Sequence, residues 1–257
     1  MSKLRILHSS DLHGNWRLPT QFKDFDLWID SGDYFPNVSR GKSIEASFQR
    51  DWMTTNKLKL KRHYMPIVRD MHVDDPAPTK WYPSDSRQPP FDGSVAARLA
   101  EWLSGRPALT VPGNHDFTDL AEILGRAGAK AVNLTKSPAS VFGLIFAGMR
   151  EIPRIEGEWA GEADDAQLSA AVSRVMSQDP DVLVTHAPAS GILDCAQGGA
   201  GHVGISPLTT WLAYRPHTVR LVLCGHVHEH GGDPLVEEMG ITFSNAAQVA
   251  RIIEIEI

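Results

Sequence analysis

Ala108-Leu109-Thr110-Val111-Pro112-Gly113-Asn114-His115-Asp116 decides how the rest of this chain is read. Residues 108–111 form a short apolar run with the look of a buried strand. The run stops at Pro112-Gly113, and an amide, an imidazole and a carboxylic acid follow at once. Four other places repeat the plan. Strand 4–8 leads to Asp11-Leu12-His13-Gly14, and strand 25–30 to Ser31-Gly32-Asp33. Strand 182–185 leads to His186-Ala187-Pro188, and strand 219–224 to Gly225-His226-Val227-His228. Polar residues at the carboxyl ends of several strands are the usual way an α/β sheet assembles a site.

The intervals support that class. Residues 95–103 carry apolar positions near a 3.6 spacing, with Asp92 or Ser94 as caps, and 119–126 and 165–176 are similar. Further strands are expected at 144–148, 241–244 and 251–257, the last partly alternating as a strand with one wet face does. Strands alternating with helices predict an α/β architecture. The chain reads as a single domain over 1–257. The interval between Asp33 and Asn114 is far longer than one crossover needs, so about 38–88 is expected to be an insertion.

Composition excludes several classes. The 257 residues are 42% hydrophobic and 22% charged, an ordinary soluble balance, with a net charge of −6. A protein held on nucleic acid by bulk charge would be basic. Two cysteines, Cys195 and Cys224, imply no disulfide framework, and a cytoplasmic location is expected. No apolar stretch approaches the length of a membrane span, and the first residues lack the apolar region of a signal peptide.

The five blocks suit a pair of divalent cations, which need oxygen and imidazole ligands and one carboxylate able to bridge. Asp33 follows a glycine, which lets the backbone turn and aim a bridging carboxylate inward. Asp11 and His13 are two residues apart, so on an extended backbone they would face the same way, and His226 and His228 share that spacing. Asn114 adds a neutral amide oxygen. Two such metals clamp a phosphate, lower the pKa of a bridging water and stabilise in-line displacement. His115 would protonate the leaving oxygen, with Asp116 orienting it through a hydrogen bond. Singly, each block has an ordinary reading, since Gly, Asn and Asp favour turns; together, and in this order, they do not. Of the eleven histidines, His8, His63, His72, His202, His217 and His230 lie outside the blocks and are expected to be structural or exposed. His230, just past His228, is the one that would line the pocket.

The order Asp-x-His, Gly-Asp, Gly-Asn-His-Asp, His, Gly-His-x-His resembles the signature of calcineurin-like metallophosphoesterases. The resemblance implies a four-layer αββα sandwich with two mixed β-sheets. It implies that Asp11, His13, Asp33 and His228 hold one metal, and Asp33, Asn114, His186 and His226 the other. The metals would be manganese, iron, zinc, nickel or cobalt. His115 would be the catalytic histidine, and phosphodiesters would be cleaved by attack of a metal-bridging hydroxide. Protein phosphatases of the superfamily carry Asp-Arg-Gly after the second Asp and Glu after Gly-Asn-His. Here Tyr34-Phe35 follows Asp33 and Asp116 follows His115, which points away from them. Thr185-His186-Ala187-Pro188-Ala189-Ser190-Gly191-Ile192-Leu193-Asp194 is similar to a stretch of metallophosphodiesterases of the cyclic-nucleotide type, with Ala189 in place of a second proline.

Two other functions compete. One is a nuclease, or a polynucleotide or small-molecule phosphatase, in which Lys57, Lys59, Lys61 and Arg62 with Tyr64, Trp81 and Tyr82 bind single-stranded nucleic acid by charge and stacking. The acidic net charge favours a solvated helix face for that cluster. The other is a non-catalytic scaffold, disfavoured because every expected ligand and His115 are present. Trp52, Trp81, Tyr82 and Phe91 would cap the site or form a subunit contact.

Overall fold

Alternate residues of the apolar strands point to opposite layers, and that alternation builds the molecule. The computed structural model describes residues 3–35, 80–81, 91–116, 119–155, 159–196 and 201–257. Its principal strands are β1 (Lys3–Ser9), β2 (Leu27–Asp30), β3 (Ala108–Thr110), β4 (Ala131–Asn133), β5 (Ala139–Val141) and β6 (Leu144–Met149). They continue with β7 (Val182–Thr185), β8 (Leu221–Cys224), β9 (Val236–Glu238), β10 (Ile241–Asn245) and β11 (Ala250–Glu256). Among the described residues these make a five-stranded sheet in the order β11-β1-β2-β3-β4 and a six-stranded sheet in the order β9-β10-β8-β7-β6-β5. Both are mixed. In the first, β1 to β4 run parallel and β11 pairs antiparallel with β1, Ile6 opposite Ile253. In the second, β6, β7, β8 and β10 run parallel, and β5 and β9 close the edges antiparallel.

Leu4, Ile6, Leu27 and Ile29 from one sheet meet Phe146, Val182, Val184 and Leu223 from the other in a buried layer between them. The intervening residues face outward. Leu7 and Trp28 pack on Val95, Leu99 and Leu103 of α1 (Gly93–Leu103) and on Leu120 and Leu124 of α2 (Leu120–Arg126). Leu183, Val222 and Phe243 pack on Leu168, Val172 and Val175 of α3 (Asp165–Met176) and on Leu208 and Leu212 of α4 (Ser206–Tyr214). The layers therefore run helix, sheet, sheet, helix, as expected. Central strands are buried on both faces, which is why they read as continuous apolar runs. Each fully buried Leu, Ile or Val contributes roughly 1.5–3 kcal/mol.

Helix ends follow their caps. Asp119 accepts from the Glu122 amide at the start of α2, and Asp164 and Gln167 form a reciprocal capping box at α3. Strands β4, β5 and β9 and helix α4 were not expected from the sequence. The β5–β6 and β9–β10 hairpins turn through Phe142-Gly143 and Met239-Gly240, both residues of each pair having positive φ. That turn usually shows as Asn-Gly or Asp-Gly, so Phe and Met hide it. Helix α4 is short and carries Pro207 in its first turn, where the missing amide costs nothing.

Of the expected insertion at 38–88, only 80–81 is described, pairing with Phe91–Asp92. Trp52, Lys57, Lys59, Lys61, Arg62, His63, Tyr64, His72 and Tyr82 lie outside the described residues. Among the described residues, no helix is long and apolar enough to cross a membrane.

Candidate metal centre

All five blocks leave their strands at the same edge of the two sheets and converge. Beyond the strand ends the loops stay laced together. The Asp11 and His13 amides donate to Gly32 O (2.7 Å) and Asp33 O (2.9 Å), and the Gly225 amide to His186 O (2.9 Å). The extended backbone expected for Asp-x-His is not what brings the ligands inward. Asp11 (φ 52°), His13 (φ 44°), Asp33 (φ 55°) and His226 (φ 68°) all adopt the left-handed region. Non-glycine residues pay about 1–2 kcal/mol each to sit there. His228 opens a 3₁₀ turn, His228–His230. Two glycines make room for the carboxylates: a Cβ on Gly113 would overlap Asp33 Oδ1, and one on Gly225 would overlap Asp11 Oδ2.

Two groups of donors result. In the first, Asp11 Oδ1 lies 3.2 Å from His228 Nε2, and His13 Nε2 lies 3.4 Å from the same atom. One ligand atom each from Asp11, His13 and His228 falls within 4.8 Å of the others. The buried Nδ1 of His13 has no hydrogen-bond partner among the described residues. Asp11 Oδ2 is held by Ser10 Oγ (2.7 Å) and the His226 amide (2.8 Å). The Gln248 amide meets His228 Nδ1 at 3.0 Å. Turned about its last bond, it would accept from Nδ1 and free the Nε2 lone pair for a metal.

In the second group, Asn114 Oδ1 lies 2.9 Å from His186 Nε2 and 3.1 Å from His226 Nδ1. His186 Nδ1 is 2.9 Å from Ser31 O, a carbonyl that only accepts, so Nδ1 carries a hydrogen. Nε2 faces Asn114 Oδ1 and, 3.5 Å away, Asp33 Oδ2. Either a proton on Nε2 or a metal ion must sit among these three atoms, so a metal would have to displace the proton. Asp33 stands close to both groups, within 4.8 Å of Asp11 and His186 by its ligand atom. Carboxylate, amide and imidazole donors fit divalent transition metals.

Burial works against charge on Asp33, but the His186 and His115 imidazoles outweigh it and hold the carboxyl well below the usual range. Burial would likewise discharge His186, yet the Asp33 carboxylate raises it to about 9. Burial dominates at His226, lowered to about 4. The hydrogen bond to the Asp11 carboxylate raises His228.

Of the residues expected to act on substrate, His115 takes its place at the pocket wall. Its ring lies 4.4 Å from that of Trp159 and 5.3 Å, edge-on, from His13, with Nε2 3.9 Å from Asp33 Oδ2. Asp116 does not hydrogen-bond to the His115 ring. Its carboxylate accepts from the amides of Gly113 (2.9 Å), Tyr34 (3.2 Å) and Phe35 (3.1 Å), tying two ligand loops together. Burial and the nearby Asp33 raise Asp116 to about 6. His230 turns away too: its Nε2 accepts from the Cys195 amide (3.3 Å) and its Nδ1 meets Asp233 (2.8 Å).

Three supporting residues escape a reading of the sequence. Arg150 donates through Nη2 to Gly113 O (2.7 Å) and Asp116 O (2.9 Å), clamping the loop that carries Asn114 and His115. Buried Asn245 donates to Gly225 O (3.3 Å) and Val227 O (3.1 Å), the carbonyls on either side of His226. Trp159 backs His115. Each acts on a residue remote in sequence, the first two through backbone carbonyls, and leaves no local motif.

The fold and this donor set define a metal-dependent phosphoester hydrolase. The chain belongs to the calcineurin-like phosphoesterase family, whose model matches residues 4–230. Among solved structures it is similar to TT1561 of Thermus thermophilus, at 12% identity and a TM-score of 0.55 over 98% of each chain. It is also similar to a 5′-nucleotidase precursor from that organism, at 13% identity and a TM-score of 0.41, over 99% of this chain and 51% of that one. No curated protein matches it in sequence.

Proposed function

We propose that this phosphoesterase is a phosphodiesterase working with two divalent cations. Asp11, His13, Asp33 and His228 would hold one, and Asp33, Asn114, His186 and His226 the other. The observation that carries the reading is the facing of His186 Nε2, Asn114 Oδ1 and Asp33 Oδ2, with His186 Nδ1 already committed to Ser31 O. Bound there, the cations would neutralise the phosphate and activate water for attack. His115, in the pocket wall and outside both ligand sets, would give a proton to the leaving oxygen. Asp33 accepts the His115 amide at 2.7 Å and so fixes that residue relative to the centre.

Preference for a diester is supported by space. A cavity of about 390 Å³ is lined by Asp33, Asn114, His115 and Trp159. A second, of about 510 Å³, adjoins it, sharing Ile155, His226 and Glu229. A diester carries two arms on phosphorus, and two cavities meet at the centre. The Thr185–Asp194 stretch, similar to that of cyclic-nucleotide-type enzymes, agrees. The joint presence of all seven donors and His115 speaks against a scaffold.

The test is hydrolysis of bis-p-nitrophenyl phosphate against p-nitrophenyl phosphate by metal-stripped protein resupplied with manganese. The diester should turn over faster, and only after metal is returned. A monoester preference, or turnover indifferent to metal, would contradict the reading.

A further inference from the structure

His202 is one of the histidines with no expected role, yet it borders the site. It lies in a short antiparallel ladder, Cys195–Ala196 with Gly201–His202. That ladder is tethered to the turn carrying His228 by the Cys195 amide on His230. The larger cavity beside the metal centre is lined by His202 together with Arg154, Val203, Val227, His226 and Glu229.

The His202 ring is aimed by a buried partner. Asp194, only 1% exposed, accepts from His202 Nδ1 at 2.7 Å through Oδ1 and from the Gly204 amide at 3.1 Å through Oδ2. The Val203 amide donates to the Asp194 backbone carbonyl (3.1 Å), so the residue is held through its backbone as well as its carboxylate. With Nδ1 spent as donor, Nε2 offers a lone pair. Arg154 on the same cavity offers only donors. A hydroxyl is the group that satisfies both, donating to one and accepting from the other. The remaining walls, Pro153, Ile155, Val203 and Val227, suit the carbon frame that carries it.

We infer that the cavity at His202 binds the second ester arm of the substrate, and that this arm bears hydroxyl groups, as a sugar does. The inference rests on the phosphodiesterase reading for its placement of phosphate at the metal centre. His202 is the specificity-determining residue, and Asp194 is the positioning residue that sets its ring.

Calorimetric binding to manganese-loaded protein tests it, with thymidine 5′-monophosphate and inorganic phosphate as probes. Wild type should bind the nucleotide about tenfold more tightly than phosphate, the worth of one or two hydrogen bonds. In His202→Ala the two should bind alike, with phosphate affinity and metal content unchanged. His202→Gln, which keeps a polar atom near the position of Nε2, should recover part of the difference. Asp194→Asn, which still accepts from Gly204, should lose part of it. Equal binding of both probes by wild type, or a gap that survives His202→Ala, would overturn the inference. Turnover of thymidine 5′-(p-nitrophenyl phosphate) is read separately. No turnover with the binding gap intact contradicts the diesterase reading and leaves the subsite standing.

Discussion

His186 shows how one imidazole is placed so that a proton and a metal would compete for the same nitrogen. Its Nδ1 belongs to Ser31 O, and its Nε2 faces Asn114 and Asp33. Without metal, the Asp33 carboxylate keeps a proton on the ring up to about pH 9, against the opposing effect of burial. A metal must take the same lone pair, so it displaces that proton. Below about pH 9, affinity at this group should fall about tenfold per pH unit. Calorimetry in buffers of different ionisation enthalpy should count about one proton released per His186-bound metal near pH 7. A raised imidazole stabilises the metal-free protein below its unfolded pKa near 6.5, and that contribution is lost as pH rises through about 9. Affinity independent of pH, with no proton released, would remove His186 from the ligand set. His115 is tested through the leaving group. His115→Ala should slow alkyl esters at least about tenfold more than nitrophenyl esters, which leave without a proton. Equal slowing of both would argue against an acid role.

Loops held from behind are the second level. Arg150, just past the end of β6, and Asn245, at the end of β10, each hold carbonyls flanking a ligand. Replacing Arg150 by Met takes the donor from Asp116 O and leaves Gly113 O only the 3.4 Å bond from the Asp116 amide, a loss of about 2–4 kcal/mol in denaturant unfolding. Metal at the Asn114–His186–His226 group should weaken first, while Asp11, His13 and His228, on other loops, keep theirs. An unchanged unfolding midpoint would show that the clamp is dispensable. This is also where sequence reading reaches its end. Asp11, His13, Asp33, Asn114, His186, His226 and His228 were legible because each follows an apolar strand in a fixed order. Arg150 and Asn245 were not, because their partners are backbone carbonyls far away in sequence. Asp116 was misread for the same reason: beside His115 in sequence, it spends its carboxylate on the amides of Gly113, Tyr34 and Phe35. The α/β class was readable from apolar runs alternating with helical spacing, and the four layers followed from the resemblance carried by the site motifs. The edge strands β5 and β9 were hidden by Phe142 and Met239 in turns that normally announce themselves with Asn or Asp.

Across the whole molecule, the centre straddles the two sheets. Asp11, His13, Asp33 and Asn114 come from the ends of one, and His186, His226 and His228 from the ends of the other. Cations bound between them would add a cross-link to the apolar layer and the hydrogen bonds that already join the sheets, so metal should raise the melting temperature, and more so as its free concentration rises. Asp33 is the side chain that both groups would share on the proposed reading. The most direct measurement is metal content per chain, by mass spectrometry after equilibration with manganese and gel filtration. It should compare wild type with Asp33→Asn. Wild type should retain about two ions per chain, and the variant fewer than about one, with the thermal gain from metal lost as well. Two ions retained by Asp33→Asn would show that the groups do not share this carboxylate, and the dinuclear centre would not stand as drawn.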